Sequence, residues 1–347
     1  MIRLSVLLMA LAGVVSLCGQ NHYQPPRTYH CAFVETLVHI DGSGDDLAWQ
    51  GVPWSEKFVD IEGSVRPEPY LDTRVKMIWD SSHLYILAHL DEPQVWATLR
   101  NRDDIVFHDN DFEVFIDPDR DGHDYFEIEV NPLNTIFDLF LSAPYRDGGP
   151  VLTDWDLKGL KTAIKVFGSL NDPADRDSCW MVEMALPLSG LSRKGRLPQP
   201  GAVWKINFSR VEYEILVREG QYQKQRNAAG KPLPEHNWVW SPQGIINMHY
   251  PEKWGYLLFD RGAVRAEVPA DDAVIQHLYV LYHYLREYRE EHGRYPRSLE
   301  NHYKVNAVNY DCSYLATDTA YLLTLRKSGS PTSWSIREDG RVKVVTP

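Results

Sequence analysis

The feature that most constrains this chain is a long series of short segments in which apolar and polar residues alternate. They lie between Val34 and Asp260, at regular spacing, and turns rich in Gly, Pro and Asp separate them. The clearest are Arg74–Trp79, Leu84–Leu90, Phe112–Asp117, Tyr125–Asn131, Ile136–Leu141, Trp180–Leu186, Trp204–Val211 and Trp254–Phe259. A period of two is typical of strands that bury one face, and no strand–helix–strand rhythm is present. The sequence therefore predicts an all-β fold, a jelly-roll-like antiparallel β-sandwich, over residues 34–262.

The pattern changes after Gly262. Between Asp271 and His292 apolar residues recur at helical spacing, which predicts one amphipathic helix that ends before Gly293. Short strands are predicted at Tyr321–Leu325, Trp334–Ile336 and Arg341–Val345. Residues 263–347 are thus predicted to form an annex of one helix and short strands. Two interpretations stay open: the annex packs on the sandwich as a structural part, or it docks a partner.

The first residues have the features of an export signal. Arg3 precedes an apolar run from Leu4 to Leu17, so residues 1–19 are predicted to be a signal peptide. This run is shorter than the ~20 residues that span a bilayer, and no later segment approaches that length. Residues 20–33 are mostly polar and are predicted to be a linker. We expect a protein without a transmembrane segment that is exported to the periplasm, the cell surface or the medium. A lipid anchor on Cys18 is the less favoured alternative, because Leu17 stands where a small residue is usual.

Composition narrows the class of ligand. The 347 residues include 11 Trp and 19 Tyr, whose rings combine an apolar face with a polar edge and suit the faces of sugars. A net charge of -12 without a basic stripe argues against nucleic acid and favours cations. Beyond the signal peptide three cysteines remain, Cys31, Cys179 and Cys312, an odd number that cannot form a complete disulfide framework.

Acidic residues share one face of two predicted strands. In Tyr125–Asn131 a period of two places Glu127, Glu129 and Asn131 opposite an apolar side, and Glu113 occupies the corresponding side of Phe112–Asp117. If the apolar sides form the core, these acids lie together on an outer or concave face. That face is either ordinary solvated surface or a ligand site, in which cations or hydroxyl donors offset the repulsion between carboxylates.

A second acidic pattern lies in a turn. Its acids are Asp117, Asp119, Asp121 and Asp124, with Gly122 between the last two. Alternate Asp residues with a Gly turn can wrap around Ca²⁺, so structural calcium is the expected cofactor and a plain acidic turn is the alternative. Ile128 stands where an EF-hand loop has its Glu, and strands flank the loop, so the pattern is not an EF-hand. The turn with Asp41 and Asp45 is a weaker second candidate for calcium.

Rings and amides concentrate in a segment before the last predicted strand of the sandwich. Trp238 and Trp240 are two residues apart and face the same side of an extended chain, so they form either a stacking platform for a pyranose or part of a large core. The loop with Arg146 is a further candidate for hydrogen bonds to a sugar.

The sequence leaves two alternative functions open. The chain has no GxSxG, HExxH or CxxC motif, but a glycoside hydrolase needs only two suitably spaced carboxylates. Candidates for such a pair are Glu113, Glu129, Glu183 and Glu212. The second alternative is a haem-binding sandwich for electron transfer, with Met248 and His249, or Met77 and His83, as axial ligands.

Several ordered motifs resemble the family 9 carbohydrate-binding modules. They are Asp41-Gly42 with Asp45, Asp46 and Trp49, then Leu84-Tyr85-Ile86, the segment Asn110–Asp117, and Pro251–Gly255. The resemblance covers roughly residues 34–260. It implies an antiparallel β-sandwich with structural calcium that binds sugars without catalysing a reaction, as an accessory to xylan-type glycan degradation. Implied partners are a carbohydrate and either glycoside hydrolases or transport proteins.

The binding residues implied by the resemblance carry over only in part. The family's Glu corresponds to Glu113 and its polar amide position falls near Ser209, whereas its clamping tryptophans fall near Phe107 and Met248 and its sugar-binding Arg falls at Glu129. These differences place the family's disaccharide specificity in doubt for this chain. We hypothesise that Trp238, Trp240 and Arg210 take over ring stacking and hydrogen bonding.

Overall fold

The computed structural model describes residues 25–192, 196–299, 310–329 and 331–346. The predicted signal peptide at residues 1–19, including Cys18, and residues 20–24 of the predicted linker lie outside this part of the chain. Strands dominate the described residues, and they fall into a large curled sheet, a hairpin and a separate C-terminal sheet.

The strands of the region up to Asp260 are β1 Thr28–Phe33, β2 Val59–Asp60, β3 Thr73–Trp79, β4 His83–Asp91, β5 Asp111–Asp117, β6 Tyr125–Val130, β7 Ile136–Leu141, β8 Val151–Leu152, β9 Lys161–Phe167, β10 Cys179–Pro187, β11 Val203–Glu212, β12 Ile215–Arg218, β13 Gln221–Lys224, β14 His236–Val239 and β15 Gly255–Asp260. A single helical turn, α1 Leu188–Leu191, follows β10. The eight strands predicted from alternation all coincide with strands of this set.

The sheet order is β8-β7-β6-β5-β11-β15-β1-β3-β4-β10-β9, and β14 pairs with both β11 and β2. Strand β1 pairs in parallel with β15 on one side and β3 on the other, whereas the remaining pairs between these strands are antiparallel. Buried residues from both halves of the sheet share one hydrophobic core. The predicted all-β sandwich is confirmed.

The N-terminal boundary of the sandwich lies earlier than the sequence predicts. Residues 28–33 fall in the predicted linker, but they form β1, the strand that joins the two halves of the sheet. Tyr29 and Cys31 alternate inward and are buried in the common core. This strand was not predicted because only Tyr29 and Cys31 provide its buried alternation, which is too short a pattern to distinguish it from the polar residues before it.

The annex contains the helix α2 Asp272–His292 and the strands β16 Tyr310–Ala316, β17 Tyr321–Lys327, β18 Ser333–Arg337 and β19 Lys343–Val345. The apolar stripe of α2 packs on β17 and β18 in a core of its own, to which Leu278, Leu281 and Trp334 contribute. Polar contacts join this unit to the sandwich, including a hydrogen bond from the Tyr282 hydroxyl to Asp147. Among the helices of the described residues, none combines the length and the apolar character that a bilayer span requires.

Candidate functional site: an acidic pocket on the outer face of the sheet

The site begins with the register of three adjacent strands. Glu113 of β5 lies opposite Glu129 of β6 on one side and opposite Ser209 of β11 on the other, and Glu127 lies opposite Phe115. The residues that alternate with them, such as Val114, are in the sandwich core. Because side chains alternate across a sheet, the three glutamates share the outer face. The predicted sorting of these strands into an apolar and an acidic side is therefore confirmed.

Loop residues surround this face, and together they enclose a pocket of about 450 Å³. Its acidic residues are Glu113, Glu127, Glu129 and Glu235. Its larger apolar and aromatic residues are Phe107, Phe115, Phe137, Leu139, Tyr145, Ile246 and Met248. The pocket thus combines an acidic floor with apolar walls, and it offers both hydrogen-bonding groups and flat contact surfaces to one ligand.

The floor is far less exposed than an acidic surface would be. Glu113 and Glu127 are each 5% exposed and Glu129 is 2% exposed. Burial raises the pKa of Glu113 to about 7, and the Ser209 hydroxyl opposes this shift. Burial, together with the neighbouring Glu113 carboxylate, holds the pKa of Glu127 and of Glu129 well above the usual range. These carboxyls are therefore costly to ionise together, and either protons or a shared cation must offset that cost.

Asp111, two residues before Glu113 on β5, extends the acidic cluster along the same face of the sheet. Its side chain is fully buried, and one of its oxygens lies within 4.8 Å of oxygens of both Glu113 and Glu129. Burial and the Glu113 carboxylate raise the pKa of Asp111 well above its usual range. The backbone N–H of Val211 lowers the pKa of Asp111 in part, although its geometry is not that of a hydrogen bond.

Polar groups on the pocket wall are held in defined positions. The backbone N–H of Phe107 donates to Oε2 of Glu129 at 3.1 Å. The Tyr125 hydroxyl and Nδ1 of His249 are 2.9 Å apart. Burial, with the nearby Arg146 guanidinium, lowers the pKa of His249 to about 4, so this imidazole is neutral at physiological pH. A neutral ring adds a hydrogen-bonding edge to the wall and no positive charge.

The predicted calcium loop brings three of its four acids together. Asp117, Asp119 and Asp121 each place one oxygen within 4.8 Å of the others. The N–H groups of Arg120 and Gly122, both in the left-handed backbone region, donate to the two oxygens of Asp117 and curl the loop around it. Burial and the Asp119 and Asp121 carboxylates raise the pKa of Asp117 well above its usual range. Three hard oxygens at this spacing fit Ca²⁺.

The other predicted calcium ligands lie outside this group. Asp124 pairs with Arg341 of the annex at 2.8 Å. Asp41 accepts hydrogen bonds from Ser43, and Asp45 is exposed. In the part of the chain that the structure describes, neither Asp41 nor Asp45 belongs to a group of three acids close enough to hold a metal ion. The hydrogen bonds from Ser43 occupy one oxygen of Asp41.

The predicted stacking platform is wrong. Trp238 and Trp240 do face the same side, but they are 2% and 0% exposed and belong to the sandwich core. The reason is the pairing of β14 with β11, which places Trp238 opposite Arg210 on the inner side of the sheet and Val239 opposite Ser209 on the outer side. The structural alternative for this pair of tryptophans is thereby confirmed.

Arg210 is also on the inner side and is 1% exposed. Its Nη2 pairs with Glu92 at 2.8 Å and with Glu212 at 2.9 Å. The hypothesis that Arg210 takes over hydrogen bonding to a sugar is therefore wrong, because its guanidinium lies in the interior and pairs there with Glu92 and Glu212.

Asn131 and Arg146, two further predicted ligand residues, have structural partners. The Asn131 side chain is fully buried, accepts from the backbone N–H of Leu133 and Thr135, and so closes the turn after β6. Arg146 donates to the carboxylate of Glu252 at 2.9 Å, away from the pocket. Predicted residues that do line the pocket are Phe107, Glu113, Glu129 and Met248, with Ser209 beside Glu113 on the same face.

The structure also separates the residues named for the alternative functions. Glu183 accepts a hydrogen bond from Trp49 at 2.8 Å, and Glu212 pairs with Arg210, so only Glu113 and Glu129 of the four candidate acids are neighbours. Met77 is buried in the sandwich core. The sulfur of Met248 accepts a hydrogen bond from Gln243.

Several pocket residues were not identified from the sequence, and they come from loops and from strands β7 and β14. They include Phe137, Tyr145, Thr153, Glu235, Asn237, Ile246 and Asn247. Tyr145 and Asn247 could have been found from the sequence, because each directly precedes a predicted ligand residue, Arg146 and Met248. Phe137 was in a predicted strand, opposite Glu129, but alternation alone does not tell which neighbouring strand it faces.

The fold and the pocket define a β-sandwich with an open, acidic and aromatic ligand pocket on one outer face. The family described as carbohydrate family 9 binding domain-like matches residues 40–222, just over half of the chain, and the chain belongs to this family. The match ends before β14 and β15, which nevertheless pair with β11 in the same sheet.

Solved structures share the sandwich at low sequence identity. A candidate carbohydrate-binding protein from Bacteroides uniformis is 17% identical with a TM-score of 0.50, over 67% of this chain and 99% of that chain. A family 9 carbohydrate-binding module from Caldicellulosiruptor kristjanssonii, solved with cellotriose, is 17% identical with a TM-score of 0.44, over 70% of this chain and 98% of that chain. The same kind of module with glucose has 16% identity and a TM-score of 0.42, over 70% of this chain and 100% of that chain. No curated protein sequence matches the chain.

Proposed function

We propose that this protein is a noncatalytic carbohydrate-binding module that takes a sugar unit into the pocket on the outer face of β5, β6 and β11. The observation that carries the proposal is the pairing of clustered carboxyls with aromatic walls in one open cavity of about 450 Å³, in a chain of the family 9 type. Carboxylates accept hydrogen bonds from sugar hydroxyls, and protonated carboxyls also donate to them. Aromatic rings cover the apolar face of a pyranose.

Phe107 is the residue best placed to stack on a sugar. It is 37% exposed at the pocket rim, while its backbone N–H is fixed to Glu129. A ring that is held by its backbone and open on one side gains contact area with little further loss of entropy on binding. Its place at the rim matches the position that the family resemblance assigns to a clamping ring.

The proposal is tested by a panel of oligosaccharides and isothermal titration calorimetry. We expect at least one glycan to bind, and Phe107→Ala to weaken its affinity by about tenfold, which corresponds to ~1.4 kcal/mol. The matched control is Phe167→Ala, which removes a ring of similar exposure (40%) from β9 at the far edge of the sheet. Equal losses in both variants, or no binding by any glycan, would contradict the proposed pocket.

Four finer proposals go with this function. The module is exported, it assists glycan degradation of the xylan type, and it works with glycoside hydrolases or transport proteins. A structural Ca²⁺ in the loop of Asp117, Asp119 and Asp121 supports the sandwich. Release of reducing ends from a bound glycan by the purified protein would reject the noncatalytic assignment and favour Glu113 and Glu129 as a catalytic pair.

A further inference from the structure

The floor of the pocket contains more buried negative charge than the protein itself compensates. Asp111, Glu113 and Glu129 are between 0% and 5% exposed, and each places one oxygen within 4.8 Å of the others. Within the described residues, none of these three carboxylates forms a salt bridge with a lysine, arginine or histidine. Burying several carboxylates at this distance is strongly unfavourable unless they are protonated or share a positive charge.

A second, independent observation comes from Asp111. Both of its carboxylate oxygens are buried, and neither accepts a hydrogen bond of good geometry within the described residues. Buried polar atoms are nearly always satisfied in folded proteins, so a fully buried carboxylate with two unused oxygens indicates a missing ligand. Since one of these oxygens faces those of Glu113 and Glu129, the missing ligand lies between the three side chains.

The nearby lysine does not fill this role. Lys224 is close enough to interact electrostatically with Asp111, but its ammonium lies 3.2 Å from the centre of the Tyr213 ring and donates to the backbone carbonyl of His108. The distances instead suit a small hard cation. Ca²⁺ binds oxygen at 2.3–2.6 Å, so two of its ligands are at most about 5 Å apart, and it tolerates irregular geometry.

We propose that Asp111, Glu113 and Glu129 hold a Ca²⁺ ion at the floor of the pocket, as a site separate from the Asp117 loop. All three side chains would bind it from the same face of the sheet. Three carboxylates leave coordination positions unfilled, because Ca²⁺ takes six to eight oxygens. Those positions face the cavity, and two neighbouring hydroxyls of a sugar would occupy them. This last step rests on the proposed function; the ion site itself does not.

The test counts Ca²⁺ ions in the full-length protein by calorimetry after chelation and dialysis. Asp119→Asn disables the loop site without touching the pocket, and this variant is expected to bind one Ca²⁺. The double variant Asp119→Asn with Glu129→Gln is expected to bind none. The matched control is Asp156→Asn, an acid of a third cluster that already pairs with Arg102, and it is expected to bind as many ions as the wild type. Failure of the Asp119→Asn protein to bind Ca²⁺ overturns the proposal without requiring any pocket variant to fold.

Glycan titrations of the Asp119→Asn protein separate the ion site from its role. We expect chelation with EGTA to weaken glycan binding at least tenfold and added Ca²⁺ to restore it. Equal glycan affinity with and without Ca²⁺ would overturn coordination of the sugar, while the proposed function stands. Uptake of one Ca²⁺ with no glycan binding would support the ion site and reject the proposed function.

Discussion

At the residue scale, the same residue types have opposite roles on the two faces of one sheet. Glu113 and Ser209 face outward into the pocket, whereas Arg210 and Glu212 face inward among the core aromatics. The neighbouring positions 209 and 210 are equally polar and differ only in the face to which they point. Whether a polar strand residue of this chain lies in the pocket is therefore decided by the face to which it points more than by its residue type.

The buried ion pairs of Arg210 lead to a prediction on stability. Arg210→Met leaves the carboxylates of Glu92 and Glu212 buried without their cation, and we expect the free energy of unfolding to fall by about 3–5 kcal/mol. Urea denaturation followed by tryptophan fluorescence measures this loss. In the control Lys57→Met, which removes an exposed partner of Asp72, the loss should stay below about 1 kcal/mol. Similar losses in the two variants would show that the buried pairs contribute no more than a surface pair.

At the element scale, alternation and helical spacing located the strands and the helix but not their neighbours. The predicted segments for β5, β6 and β11 coincide with the structure, and so does α2, because each has several apolar residues in phase. Short β1 and the four-residue β14 were missed, and the error for Trp238 and Trp240 followed, because pairing with β11 decides which face they occupy. The period of two predicted the strand residues of the pocket floor. It could not predict the other pocket residues, because they reach the pocket only through tertiary packing of loops and strands.

The contact between α2 and the sandwich is expected to depend on pH through Glu252. Arg146 at 2.9 Å and His283 at 2.7 Å offset its burial and hold the pKa of Glu252 well below its usual value of 4.5. Since the folded pKa lies below the unfolded one, this stabilisation is present above about pH 4.5 and is lost as the pH falls below that value. Further charged and titratable groups at this contact are Asp147, Tyr250, Lys205, Tyr279, Tyr282 and Arg286.

The measurement compares the free energy of unfolding at pH 7 and pH 3. For the wild type we expect the difference to exceed that of Glu252→Gln by at least about 1 kcal/mol, because the variant has no proton to bind at this position. Glu290→Gln, a 73% exposed acid on the same helix, should behave as the wild type. The same pH dependence in Glu252→Gln and the wild type would show that other groups control the contact.

At the scale of the whole molecule, the acidic loop after β5 lies where the sandwich and the annex meet. Arg341 pairs with Asp124 at 2.8 Å and lies 3.6 Å from Asp121, and the Tyr279 hydroxyl donates to the Asp121 carbonyl. A cation held by Asp117, Asp119 and Asp121 would therefore stabilise two units with separate cores, through one loop.

Calcium is accordingly expected to raise the thermal stability of the whole chain. At a concentration of about 100 times its Kd, an ion that binds only the folded state adds ~2.7 kcal/mol, which corresponds to a rise in Tm of a few degrees. Asp119→Asn should lose the part of this rise that comes from the loop ion and keep the part that comes from the pocket ion, and Asp156→Asn should keep the whole rise. Calorimetric scans with Ca²⁺ and with EGTA provide the comparison, and a full rise in Asp119→Asn would contradict a stabilising ion in the loop.

The position of β1 between β15 and β3 has a practical consequence for the choice of fragment ends. A polypeptide trimmed to residues 40–222 would lack β1, β14 and β15, so both β11 and β3 would present unpaired backbone along a hydrophobic sheet. Bare strand edges of that kind recruit other chains and promote aggregation. A soluble recombinant module should accordingly start upstream of Thr28 and extend past Asp260.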